Sequence, residues 1–88
     1  MNILFWRKKI DQIDQKLVNL FNQRARYAQK IGHLKKIREM AVHSPQREKV
    51  IQERVVRHNP GPLSHAAILR LFKQIIKESR KFEQESQG

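Results

Sequence analysis

The chain has no cysteine, one tryptophan, one tyrosine and three glycines among its 88 residues, and only 8 acidic side chains. Each shortage removes a class of chemistry. Without cysteine there is no disulfide, no thiolate nucleophile and no cysteine-type zinc site, and a reducing cytoplasm is the natural setting. The histidines, His33, His43, His58 and His65, show no metal-ligand spacing, so no metal is expected. No apolar run exceeds the one from Ile3 to Trp6, far short of the roughly 20 residues that span a bilayer, so neither a signal peptide nor a membrane partner is expected. No catalytic triad, Gly-rich phosphate loop or internal repeat can be read.

What the chain has in excess is positive charge. Lysine and arginine number 19 against 8 acids, a formal charge of +11. Such a balance attracts anions, among them nucleic acid, acidic protein, lipid headgroups and small polycarboxylates. Charge alone puts nucleic acid first. Against that stand the scarcity of aromatics and the spread of basic residues along every segment rather than in one arm or recognition helix.

The apolar pattern predicts an all-α fold with helices over 4–38, 45–58 and 65–83 of a single 1–88 domain. In the first, Ile10, Ile13, Leu17 and Leu20 recur at steps of three and four, and Tyr27 or Ala28, Ile31 and Leu34 resume the stripe. Gly32 reads as a close-packing point, because Leu34 and Ile37 carry the pattern past it. That helix would be roughly 50 Å long. A compact domain of this size is only about 30 Å across. The helix must project beyond its own domain, and a partner chain should cover its stripe. Ser44-Pro45 reads as an N-cap and N1 pair, with Arg47 where a capping box would want Glu or Gln. Asn59-Pro60-Gly61-Pro62 ends the second helix and Ser64 caps the third, whose stripe is Ile68, Leu71, Phe72, Ile75, Ile76 and Phe82. Gln84 to Gly88 are polar and expected to fray.

Several polar residues fall on these apolar faces. Arg24 lands on the stripe of the first helix, Arg7 lies three residues before Ile10, and Lys35 follows Ile31 by four. In the second helix Arg47 precedes Val50 and Ile51, and in the third Ser79 and Glu83 extend the line of Phe72, Ile75 and Ile76. Plainer readings exist. Ser79 could bond its own helix carbonyl, Lys35 and Arg7 could snorkel to water, Glu83 could sit in a solvated last turn, and Glu48 could form a surface ion pair. Arg24 is hardest to dismiss, because a guanidinium in mid-helix needs an anion if it is to be covered. Together the residues point to an anion site inside a helical bundle.

The stretches Trp6-Arg7-Lys8-Lys9-Ile10-Asp11-Gln12-Ile13-Asp14, Asn22-Gln23-Arg24-Ala25, Ile31-Gly32-His33-Leu34-Lys35, Ser44-Pro45-Gln46-Arg47-Glu48, Asn59-Pro60-Gly61-Pro62-Leu63-Ser64 and Ile75-Ile76-Lys77-Glu78-Ser79-Arg80 carry a resemblance. In that order and spacing they resemble the all-helical chorismate mutases, from Phe5 to Glu83. The resemblance implies a three-helix protomer in an intertwined homodimer, converting chorismate to prephenate on the route to phenylalanine and tyrosine, without cofactor. It implies catalytic roles for Arg24, Lys35 and Glu83. Substrate binding would add Ser44, Arg47, Glu48 and Ser79 from the same chain and Arg7 from the other. Arg7 and Arg24 would clamp the two substrate carboxylates, Lys35 would reach the ether oxygen, and Glu48 would take the ring hydroxyl.

Two positions depart from the family pattern. Ser44 stands where many relatives carry aspartate, and Glu83 where relatives carry glutamine or glutamate. Members are often fused to a further enzyme of the pathway, which leaves open whether this chain is free-standing or one domain of a fusion. Two rivals remain: isochorismate pyruvate lyase on the same fold, and a basic helical nucleic-acid-binding protein.

Overall fold

The structure, a computed structural model, describes residues 2–87; the first and last residues of the expected domain lie outside the described residues. Three helices account for most of it: α1 (Ile3–Ile37), α2 (Pro45–Arg57) and α3 (His65–Gln87). Among the described residues there is no strand.

Each helix boundary has a local cause. Asn2 caps α1, its Oδ1 accepting from the Phe5 N–H at 3.1 Å, a start signal not anticipated from the sequence. The other end of α1 closes without glycine. Glu39 adopts a left-handed φ of 56°, which lets Met40 N–H bond the Lys35 carbonyl at 2.7 Å and Glu39 N–H bond that of Lys36 at 3.1 Å. This is the double closure of a Schellman motif, with glutamate in the position that glycine usually fills. In α2, Ser44 Oγ accepts from Arg47 N–H at 3.2 Å, and Pro45 at N1 has no N–H to leave unpaired. The helix stops one residue before the expected end, because His58 is already the cap.

Asn59 organises the turn into α3. Its Nδ2 donates to the Leu63 carbonyl at 2.8 Å, and its Oδ1 accepts from Gly61 N–H at 3.1 Å. Gly61 needs its freedom there, having φ of 80°. Ser64 Oγ then caps α3 through Ala67 N–H at 3.0 Å. The expected end of α3 at 83 is corrected: the helix runs on to Gln87. Gln84 to Gln87 include no proline or glycine, and polarity alone does not break a helix. Gly88, also expected to fray, lies outside the described residues.

Helix α3 packs against both α1 and α2, which do not approach each other closely. Ala28 and Ile76 are the buried side chains of that packing, and Gly32 is buried beside them in α1. The other half of α1 has nothing against it. Every residue from 2 to 23 is exposed, Ile10 by 58% and Leu20 by 58%. The described chain is therefore elongated, 56 × 25 × 15 Å with a radius of gyration of 16.0 Å, where a compact chain of this length would have about 12 Å.

Candidate active site

One open cavity of about 250 Å³ lies where the inner half of α1, the start of α2 and the end of α3 converge. Its apolar wall includes Ala28 and Ile31 of α1, Ile51 of α2 and Ile76 of α3. Its polar wall is made by the residues that broke the apolar stripes: Arg24, Lys35, Ser44, Arg47, Glu48, Ser79 and Glu83. Arg7 is not brought there. It sits on the exposed outer half of α1, about 25 Å from residue 24 by helical rise.

The arrangement follows from helix geometry. Ile76, Ser79, Arg80 and Glu83 are spaced at steps of three and four, so one face of α3 delivers its buried anchor and three polar groups to the same cavity. Arg24 meets this face directly, Nη1 donating to Ser79 Oγ. That contact excludes the plainer reading in which the serine hydroxyl merely serves its own helix. Lys35 does not run out to water either: its Nζ donates to the Val42 carbonyl at 2.8 Å. The chain reversal at Glu39 is what carries that carbonyl back towards the last turn of α1. An ammonium has three donors, so two remain for a ligand.

Charge is concentrated here. Arg24, Lys35, Arg47 and Arg80 face the cavity against the two carboxylates of Glu48 and Glu83. Glu48 is occupied, its Oε2 lying 2.8 Å from Arg80 Nη1. Lys35 and Arg24 both lie close enough to Glu83 to attract it, and Arg47 close enough to Arg24 to repel it. Burial and then the neighbouring Arg47 push the Arg24 pKa below its usual value, with Glu83 opposing them. For Glu83, burial raises the carboxyl pKa, and the attractions of Lys35 and Arg24 fail to cancel that rise. The sequence could not decide this direction. Desolvation prevails, so Glu83 keeps its proton to higher pH than an ordinary glutamate.

Two participants were missed from the sequence. Arg80 had a signal, since it follows Ile76 by four and Ser79 by one. The Val42 carbonyl had none, being a backbone group placed by the turn. Among the described residues, no three His, Asp or Glu side chains gather in a way that could hold a metal, and no helix is long and apolar enough to cross a membrane.

Fold and site together define an all-helical protein with a small cavity between its helices, lined by four cations and two carboxylates. Comparison with known proteins narrows the class. The family model for chorismate mutase type II matches residues 6–84. The chain is 35% identical over 74 residues to a bifunctional chorismate mutase/prephenate dehydratase of Aquifex aeolicus, covering 80% of this chain and 20% of that protein. A protein of the same description from Neisseria gonorrhoeae is 39% identical over 72 residues, covering 82% and 19%. The chain thus spans about a fifth of the length of these relatives. Among solved structures, a chorismate mutase from Thermus thermophilus superposes with a TM-score of 0.91 at 32% identity, over 93% of each chain. A Helicobacter pylori chorismate mutase solved in complex with prephenate gives 0.88 at 27% identity, over 96% of this chain and 91% of that one. The chain belongs to the chorismate mutase type II family.

Proposed function

We propose that this chain catalyses the rearrangement of chorismate to prephenate as a homodimer, supplying the route to phenylalanine and tyrosine in the cytoplasm. The observation that carries the reading is the charge of the cavity: Arg24, Lys35, Arg47 and Arg80 line it with only Glu48 and Glu83 to offset them. Chorismate brings two carboxylates on a compact ring, which is what such a site lacks.

The reaction is intramolecular. An ether C–O bond breaks as a C–C bond forms, with no nucleophile and no proton transfer in the bond-making step. Catalysis reduces to holding the folded conformer and stabilising charge that grows on the ether oxygen. Arg24, steadied by Ser79, clamps one carboxylate through a charge-assisted pair of hydrogen bonds. Lys35 turns its free donors to the ether oxygen. A protonated Glu83, favoured by its raised pKa, donates to the same oxygen from the other side. Arg47 neutralises and orients the dianion, Glu48 accepts from the ring hydroxyl, and Ser44 caps the helix that presents both.

The second carboxylate is assigned to Arg7 of another copy, with Arg24, Lys35 and Arg47 committed to the first carboxylate, the ether oxygen and the overall charge. Arg7 is too far along the same helix to reach it, but a second copy crossing the outer half of α1 would deliver its own Arg7 while covering the exposed stripe. The test is direct. Purified protein incubated with chorismate should consume it and yield prephenate, identified by chromatography. Chorismate left intact, or pyruvate released from isochorismate in a parallel incubation with no prephenate from chorismate, would contradict the reading.

A further inference from the structure

Glu48 is held from one side only. Arg80 Nη1 on α3 lies 2.8 Å from its Oε2, and His43 Nε2 on the α1–α2 connection lies 3.4 Å from the same oxygen. Among the described residues, the other carboxylate oxygen, Oε1, has no hydrogen-bond partner. The pair is partly shielded, with side-chain exposures of 29% for Arg80 and 22% for Glu48, and both line the cavity. His43 is half exposed and stands outside the lining.

A carboxylate can only accept, so Arg80 Nη1 is the donor of the hydrogen bond to Oε2, while His43 Nε2 approaches the same oxygen at 3.4 Å without hydrogen-bonding to it. The Arg80 hydrogen bond, with His43 close by, fixes the carboxylate group through Oε2 and leaves Oε1 as the acceptor available to a ligand. Without them Glu48 would be a flexible side chain in a cavity that Arg47 and Lys35 also line, and these cations would compete for it. We infer that Arg80 and His43 are positioning residues that set the enzyme's preference for a hydroxylated ring: they lock Oε2 of Glu48 so that Oε1 meets the substrate hydroxyl. This rests on the proposed reaction, and in particular on Glu48 accepting from that hydroxyl.

The two contacts differ in weight. Arg80 makes a short contact between permanent charges, anchors Glu48 across the α2–α3 junction, and should dominate. His43 makes a longer contact from a connection rather than a helix and should contribute less. The substrate hydroxyl is present in ground and transition states alike, so losing its partner weakens both equally. That signature is a raised KM with little change in kcat.

The experiment compares two substrates: chorismate, and an analogue in which hydrogen replaces the ring hydroxyl while the ether and both carboxylates remain. For Arg80→Ala, kcat/KM on chorismate should fall about tenfold or more, mainly through KM, as expected for a hydrogen bond to a charged group. The loss on the analogue should stay within about threefold, and Arg80→Lys should recover part of the chorismate loss. His43→Ala should show the same selective pattern at smaller size. Adding Arg80→Ala to Glu48→Gln should leave the substrate preference where Glu48→Gln alone puts it. Equal losses on both substrates would overturn the inference, because Arg80 would then be serving a group that both share, such as a carboxylate. Independent, additive effects of Arg80 and Glu48 would overturn it as well. The half-exposed His43 variant keeps the test open if Arg80→Ala fails to fold. Wild-type turnover of chorismate separates the two levels: an inactive wild type sinks the proposed reaction with this inference, whereas an active one with unselective losses sinks this inference alone.

Discussion

The two halves of α1 share a sequence pattern and differ in what meets them. In the inner half, Ala28 and Gly32 are buried under α3, and the polar residues Arg24 and Lys35 are bonded to Ser79 and to the Val42 carbonyl. In the outer half, Ile10, Ile13, Leu17 and Leu20 continue the same stripe at the same spacing, yet all four are exposed, from 41% to 58%. A stripe of this kind is stabilising only when something covers it. The outer half with its Arg7 is therefore the unsatisfied counterpart of the inner half with its Arg24. In the proposed dimer, a second copy reading the helix from the other side would satisfy both the apolar face and the site.

The largest expected effect tests the inner half. Arg24→Lys keeps the charge but loses the planar fork that matches a carboxylate, and kcat/KM should fall by about a hundredfold or more, on the order of 3 kcal/mol. Circular dichroism should show the variant still helical. Near-normal kinetics would remove Arg24 from the clamp.

The next pair of substitutions compares the halves directly. Ile76→Ala opens a hole in the buried contact of α3 and should lower stability by about 2–4 kcal/mol in denaturant unfolding. Leu17→Ala, if Leu17 stayed in water, would change stability by less than about 0.5 kcal/mol. Covered by a second copy, Leu17 should instead approach the Ile76 value, and the unfolding midpoint should depend on protein concentration. A small, concentration-independent change would leave the outer half truly solvated.

A smaller effect concerns Glu83. Burial raises its pKa against the pull of Lys35 and Arg24, so the protonated form that can donate to the ether oxygen persists above the ordinary glutamate range. Activity should fall several-fold, about one protonation equilibrium's worth, as pH rises through that raised pKa. Glu83→Gln, with a permanent N–H donor, should flatten the profile and retain activity near neutral pH. Stability carries the same sign: the folded state binds this proton more tightly, so the contribution is full below the unfolded pKa and is lost as pH rises through the folded one. A flat wild-type profile would remove Glu83 from this role.

Smallest of all is the cap of α1. Glu39 sits at φ of 56° where glycine is usual, and Glu39→Gly should raise stability by about 0.5–1 kcal/mol in thermal unfolding. Activity should not fall, provided that the turn keeps the Val42 carbonyl on Lys35.

Much of this was legible in the sequence because helical periodicity is a local rule. Arg24, Ser79 and Glu83 could be placed on inward faces by counting threes and fours, and the structure brings them to one cavity with Lys35, Ser44, Arg47 and Glu48. What escaped depends on contacts between distant segments. The Schellman closure at Glu39 lacks the glycine that would announce it, and the continuation of α3 through Gln84 was masked by polarity that says nothing about helix breaking. Arg80 was passed over because its partner Glu48 lies on another helix. The direction of the Glu83 shift needed the burial itself, since the opposing cations were already visible.

Mixing two inactive variants tests the central claim most directly. Arg7→Ala spoils the outer half of α1 and Arg24→Ala the inner half, and each protein alone should be nearly inactive towards chorismate. After subunit exchange, a heterodimer holds one site with both arginines intact and one with neither, so an equimolar mixture should recover about a quarter of wild-type activity if dimers form statistically. No recovery, once exchange has been verified by a tagged subunit, would contradict a site shared between the outer half of one helix and the inner half of another.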